Sequence, residues 1–274
     1  MNIQIFPADG PDFSLFLLYL SGIIFFLAYW LPIDSPRVLR WFNDRFGEDR
    51  GSVFYFVFNK GWGALLFGII APMVAVLIFP SLSPADLGLR FFGPRPLLVL
   101  MCAALLCPAA VLAVWFSSRK KTDFGRYPEI RKKVWTGNTL LIHVAGWTVY
   151  LLAYELFFRG VLLFPTAVII GPWGAAGINA ALYSAAHIPK GPQEAVGSLF
   201  LGVLLSLLTL HTGTIWIAFL VHLALALPNG LFALHYRRDM SLVRGGRSRV
   251  TPAMSDGVRN SESPNDMDNS ELLS

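Results

Sequence analysis

Apolar positions gather into runs of about 20 residues, the length an α-helix needs to cross about 30 Å of hydrocarbon. Such runs at 13–31, 61–79, 96–116, 135–164, 166–186, 195–210 and 214–234 predict seven spans, with six or eight as the neighbouring counts. The fold class expected is all-α, a polytopic transmembrane helical bundle. Between the second and third runs, 81–94 is punctuated by Pro and Gly and reads as a loop with room for a short interfacial helix.

Composition agrees with that pattern. Hydrophobic residues make up 55% and charged residues 14% of the 274 positions, and mean hydropathy is +0.56, far above a soluble domain of this size. Asp9 and Asp12 precede the first run without a Lys or Arg, unlike the cationic start of a cleavable signal, so the first span is expected to stay. Basic residues cluster after the first run (Arg37, Arg40, Arg45, Arg50, Lys60), after the third (Arg119, Lys120, Lys121, Arg126, Arg131, Lys132, Lys133) and after the last (Arg237, Arg238, Arg244, Arg247, Arg249). All three belong on the cytoplasmic face by the positive-inside rule. An odd number of spans satisfies that: a multi-pass protein of the cell membrane, N-terminus outside and C-terminus cytoplasmic. The net charge of +5 is then explained by loops that face anionic lipid, and no nucleic-acid partner is implied.

Three regions follow: 1–134 with the first helices and basic loops, 135–236 as the core that bears the candidate chemistry, and 237–274 as a polar tail expected to be disordered. Cys102 and Cys107 read as buried apolar fillers of the third span. No CxxC, HExxH or His-x-x-x-His pattern occurs, so no metal cage, redox centre or other cofactor is expected. No internal repeat points to a transporter.

The chemistry concentrates in Tyr154-Glu155-Leu156-Phe157-Phe158-Arg159-Gly160. A charge at the bilayer centre costs about 2.5–3.5 kcal/mol on insertion scales, so such residues pair and serve a function. Four residues apart, Glu155 and Arg159 share a helical face and neutralise each other. His187 and His222 lie in or beside later apolar runs, whereas His143, His211 and His235 have no motif around them and read as structural.

In order, YELFFRG, then Tyr183 with His187, then His222 resemble the motifs of the CPBP family, the membrane-embedded CAAX proteases and bacteriocin-processing enzymes. That family's pattern is EExxxR, FxxxH and HxxxN or HxxxD on successive helices; Tyr127-Pro128-Glu129-Ile130-Arg131 and Ala85-Asp86-Leu87-Gly88-Leu89 also resemble its flanks. Carried over, Glu155 matches the second Glu, Arg159 the Arg, Tyr183 the Phe, and His187 and His222 the two histidines. Two positions depart: Tyr154 stands for the first Glu, the family's water-activating base, and Ala226 for the late Asn or Asp. The segment from His187 to Glu194, which reads His-x-x-Lys-x-Pro-x-Glu, is similar to a family variant with His, Lys, Pro and Glu in that order, in which Glu194 supplies the missing carboxylate. Asn229, two turns after His222, stands as a replacement for the missing amide, although Pro228 is expected to kink or end that helix.

The resemblance implies an intramembrane endopeptidase acting on a peptide or protein substrate at the bilayer. Glu155 or Glu194 would be the base, His187 and His222 would hold water and oxyanion, and Arg159 would fix Glu155, with no metal. A catalytically inactive relative that binds a membrane partner is the second reading, favoured by Tyr154 and Ala226; a transporter is the third. A straight helix entering near Trp135 would carry Glu155 about 30 Å inward, close to the far face, which sits poorly with cytosolic substrates.

Overall fold

The computed structural model describes residues 10–91, 93–120 and 127–243, so the tail beyond Val243 lies outside the described residues. In chain order it comprises α1 (Pro11–Ile33), α2 (Pro36–Phe46), α3 (Glu48–Leu65), α4 (Ala71–Ile78), α5 (Pro96–Lys120), β1 (Val134–Trp135), α6 (Gly137–Glu155), α7 (Phe164–Ile170), α8 (Pro172–Ala185), α9 (Pro192–Thr212), α10 (Trp216–Tyr236) and β2 (Ser241–Leu242). π-helical turns at Leu66–Ile70 and Leu156–Leu163 join α3 to α4 and α6 to α7 without a break. The expected all-α bundle is what forms. Among the described residues, six helices are long and apolar enough to cross a membrane: α1, the joined Glu48–Ile78, α5, the joined Gly137–Ile170, α9 and α10. The most apolar 18-residue stretch of Gly137–Ile170 is 72% buried against 17% for α1 and for α5, which makes it the central helix, with the other two facing outward.

Two boundaries differ from the hydropathy reading, each for a physical reason. The second span starts at Glu48, not near 61, because Lys60, assigned above to a loop, lies inside the helix with only 3% of its surface exposed. The fourth span runs on to Ile170, and the chain turns only at Gly171, whose φ of 85° suits a residue without a Cβ. What remains for the fifth span is the 14-residue α8, about 21 Å long and short of the hydrocarbon thickness.

Loop contacts nonetheless require α8 to reverse the chain. β1, just ahead of α6, pairs with β2, just after α10, and Lys133 N donates to Asp49 Oδ1 at the start of α3. At the opposite end, Ile215 N and Thr214 Oγ1 donate to the Gly88 carbonyl (both 3.1 Å), joining the α9–α10 turn to the 81–94 loop. Both ends close only if α6–α7, α8, α9 and α10 run alternately up and down. Together with α1, α3–α4 and α5 that gives seven traverses, one of them short.

Cys102 and Cys107 are half-buried beside Leu205 and Ala218, rather than fully buried fillers. Pro228 is accommodated inside α10 and does not end it.

Candidate active site

The central helix delivers the first half of the site. Its α-helical part ends at Glu155, and the wider π turn that follows carries Arg159, both wholly buried. π turns of this kind recur at functional sites. α6 supplies 19 of the joined helix's 34 residues, so Glu155 lies near mid-length and not at its far end. With the helix continued to Ile170, Glu155 no longer stands close to the helix's far end.

The other half arrives from α8 and α10. Tyr183 is on the last turn of α8, His187 follows in the tight turn capped by the 3-10 segment Ile188–Lys190, and His222 is on the second turn of α10. His222 Nδ1 lies 2.6 Å from Glu155 Oε1. Because a carboxylate only accepts, the proton is on Nδ1 and Nε2 is left for other work. His187 Nδ1 lies 2.8 Å from the Tyr183 carbonyl, which assigns the same tautomer. The Tyr183 hydroxyl is 3.5 Å from His222 Nδ1, and the two imidazole centroids are 6.4 Å apart.

Arg159 Nη1 stands 3.2 Å from Glu155 Oε2, and its guanidinium carbon is 4.3 Å from the Tyr183 ring centroid. Close as the charges are, the angle is not that of a hydrogen bond, and among the described residues Nε, Nη1 and Nη2 have no hydrogen-bond partner. The interaction is therefore charge pairing and stacking. Glu155 has one oxygen on His222 and the other against Arg159, and it does not line the cavity described next, so it holds other groups in place.

A cavity of about 340 Å³ reaches these groups. His187, His222 and Tyr154 line it, with Trp147 and Tyr150 above them on the same face of α6; Asp34, Glu129, Arg131 and Lys190 add charge. Glu129 and Arg131 lie just ahead of β1, so the cavity extends toward the end of the bundle where the strands pair and the basic clusters lie. Tyr154 packs edge-on to His222, Tyr183 and Phe67 and tilted against Phe158. It puts an aromatic wall where the family's motif has a carboxylate.

Glu194 sits apart, half-buried in the first turn of α9 and not among the cavity-lining residues. Asn229 spends its Nδ2 on the Leu225 carbonyl of its own helix (3.1 Å), and Ala226 offers no polar atom. Thus Glu155, Arg159, His187 and His222 come together, and Glu194 does not join them. Among the described residues no group of three or more His, Cys, Asp or Glu converges as a metal site would require.

The cavity wall also carries what the sequence reading missed: Tyr29, Asn59 and Glu129 line it, and Lys60 is buried against Glu129. Lys60 and Glu129 form an ion pair of 2.7 Å, and the Tyr29 hydroxyl donates to Asn59 Oδ1 at 2.8 Å. The signal was there: Asn59-Lys60 interrupts an aromatic run, Val53 to Trp62, that is otherwise fit for a span.

Residues 136–227 match the family model described as type II CAAX prenyl endopeptidase Rce1-like. The match covers about a third of the chain and contains Glu155, Arg159, Tyr183, His187, Glu194 and His222. Comparison with curated proteins and with solved structures gave no match.

Proposed function

We propose that this chain is an intramembrane peptide hydrolase of the CAAX-endopeptidase kind, acting on a peptide or protein segment that enters the cavity from the face bearing the basic loops. The observation that carries the reading is His222, held by the buried Glu155 at 2.6 Å, on one cavity with His187.

His187 is the base: its Nδ1–H is committed to the Tyr183 carbonyl, leaving the Nε2 lone pair for a proton from water. The hydroxide attacks the scissile carbonyl. The negative charge that forms on oxygen is met by His222 in its doubly protonated form, with Nδ1–H on Glu155 and Nε2–H donating to the oxyanion. Collapse expels the amine, which takes the proton held by His187. Arg159 balances Glu155 and keeps its carboxylate turned toward His222. Tyr154 and Glu194 are not needed in this sequence of steps. The cavity extends toward the end that bears the basic loops, which with the positive-inside rule supports a site open to the cytoplasm and an N-terminus outside.

One observation favours a second reading, a catalytically inactive relative that binds a membrane partner: Tyr154 takes the carboxylate out of the cavity wall. The test incubates the purified chain in nanodiscs with prenylated CAAX peptides, followed by mass spectrometry. Cleavage by the wild type that is lost in His187→Ala supports the hydrolase. Saturable peptide binding without cleavage would establish the second reading.

A further inference from the structure

Lys60 is hard to explain as an element of stability. Sequestering an ion pair gains little over apolar packing of the same shape, and ionisable residues inside membranes are retained for function. Its side chain is 4% exposed, while that of its partner Glu129 is 27% exposed. The ammonium is held independently by a box of rings, 3.6 Å from the Trp147 centroid, 4.7 Å from Tyr150 and 5.4 Å from Phe56. Such contacts attract a cation most strongly when it is desolvated.

The two halves of the pair are therefore unequal. The cation is fixed in α3 and already stripped of water. The carboxylate reaches in from the irregular segment 127–133 and borders the cavity. Glu129 Oε2 lies at 2.7 Å but outside hydrogen-bond geometry, with no hydrogen-bond partner among the described residues. Beside it, Asn59 has its oxygen taken by the Tyr29 hydroxyl, which turns its NH₂ into a further donor in the same wall.

We propose that Lys60, buried behind the cavity wall in its box of Phe56, Trp147 and Tyr150, is a carboxylate-binding site that the cavity reaches when Glu129, which lines it, moves aside. Glu129 is its resident occupant, and the carboxylate of an entering peptide displaces it. This does not depend on turnover and holds equally if the chain only binds.

The experiment uses the full chain in nanodiscs, with Glu129→Ala, Glu129→Gln and each combined with Lys60→Met. Sodium acetate is expected to raise the Tm of Glu129→Ala and leave the wild type and the double variant unchanged. A pentapeptide with a free C-terminal carboxylate is expected to bind Glu129→Gln about tenfold more tightly than the wild type, because no resident group competes. Its C-terminal amide should bind both forms equally, and Lys60→Met should abolish the difference. The Gln variant keeps the shape of Glu129 and carries the peptide test alone should the Ala variant not fold. Acid and amide binding Glu129→Gln equally would overturn the proposal. So would an acid preference that survives Lys60→Met, since the anion would then sit elsewhere, on Lys190 or among lipid headgroups.

Discussion

Glu155 divides its carboxylate between two partners, one oxygen 2.6 Å from His222 Nδ1 and the other 3.2 Å from Arg159 Nη1, and both Glu155 and Arg159 are closed to solvent. Removing the guanidinium alone leaves a buried carboxylate short of its counter-charge. Breaking such a pair from one side costs about 3–5 kcal/mol. Arg159→Met is therefore expected to lower the unfolding temperature in detergent sharply and to abolish turnover. The double variant with Glu155→Gln should recover much of the stability and none of the turnover, because His222 remains unheld. Arg159→Met matching wild type in both assays would end the charge-pair reading.

The placement of Glu194 outside the cavity and of Tyr154 in its wall leads to opposite expectations for the two. Glu194→Gln should keep cleavage within about twofold of wild type, since no proton in the scheme passes through it. Tyr154→Glu puts a carboxylate beside His222 and Tyr183, where a general base contributes about 10²–10⁴-fold. It should raise turnover in any preparation that folds. Loss of cleavage in Glu194→Gln would mean that the turn from Ile188 to Gly191 brings that carboxylate inward during catalysis.

Gly146 tests the packing beneath the Lys60 box. A Cβ there would lie 2.5 Å from the Phe56 ring and 3.4 Å from Lys60 Cγ. Gly146→Ala should destabilise the fold by about 1–3 kcal/mol, the usual cost of overpacking, read as a lower Tm. An unchanged Tm would show that Phe56 is free to move, contrary to its 1% exposure.

How much of this was legible in the sequence varied with the range of the interaction. The membrane class, the helical content and the cluster of Glu155, Arg159, His187 and His222 followed from local patterns: run length, a four-residue charge spacing and ordered motifs. Lys60 did not, because hydropathy scores a lysine as a loop residue, and only Glu129, 69 positions later, with the rings of Trp147 and Tyr150, makes its burial tolerable. The π turn at Leu156–Leu163 leaves no mark in composition, and the nearly unbroken apolar run from there to 186 does not show that the helix continues to Ile170 and turns only at Gly171. Glu194 stood beside Glu155 as a candidate base on the resemblance of 187–194 to a family variant, but Pro192 starts α9 and places Glu194 in its first turn, outside the cavity lining.

Sidedness rests on two independent sets of loop contacts. The β1–β2 pairing with Lys133 N on Asp49 Oδ1 ties the starts of α3 and α6 to the end of α10. The bonds of Thr214 and Ile215 to the Gly88 carbonyl tie the α4–α5 loop to the α9–α10 turn. Arg237, Arg238 and Lys133 belong to the first set, so that end is expected in the cytoplasm. Single cysteines introduced at Ser81 and Gly213, in a background without Cys102 and Cys107, should react with an impermeant maleimide on intact cells. Cysteines at Lys132 and Asp239 should react only after the membrane is opened. If Ser81 and Gly213 fall on opposite sides, α8 does not cross; if all four are inverted together, the fold stands and the cavity opens to the exterior.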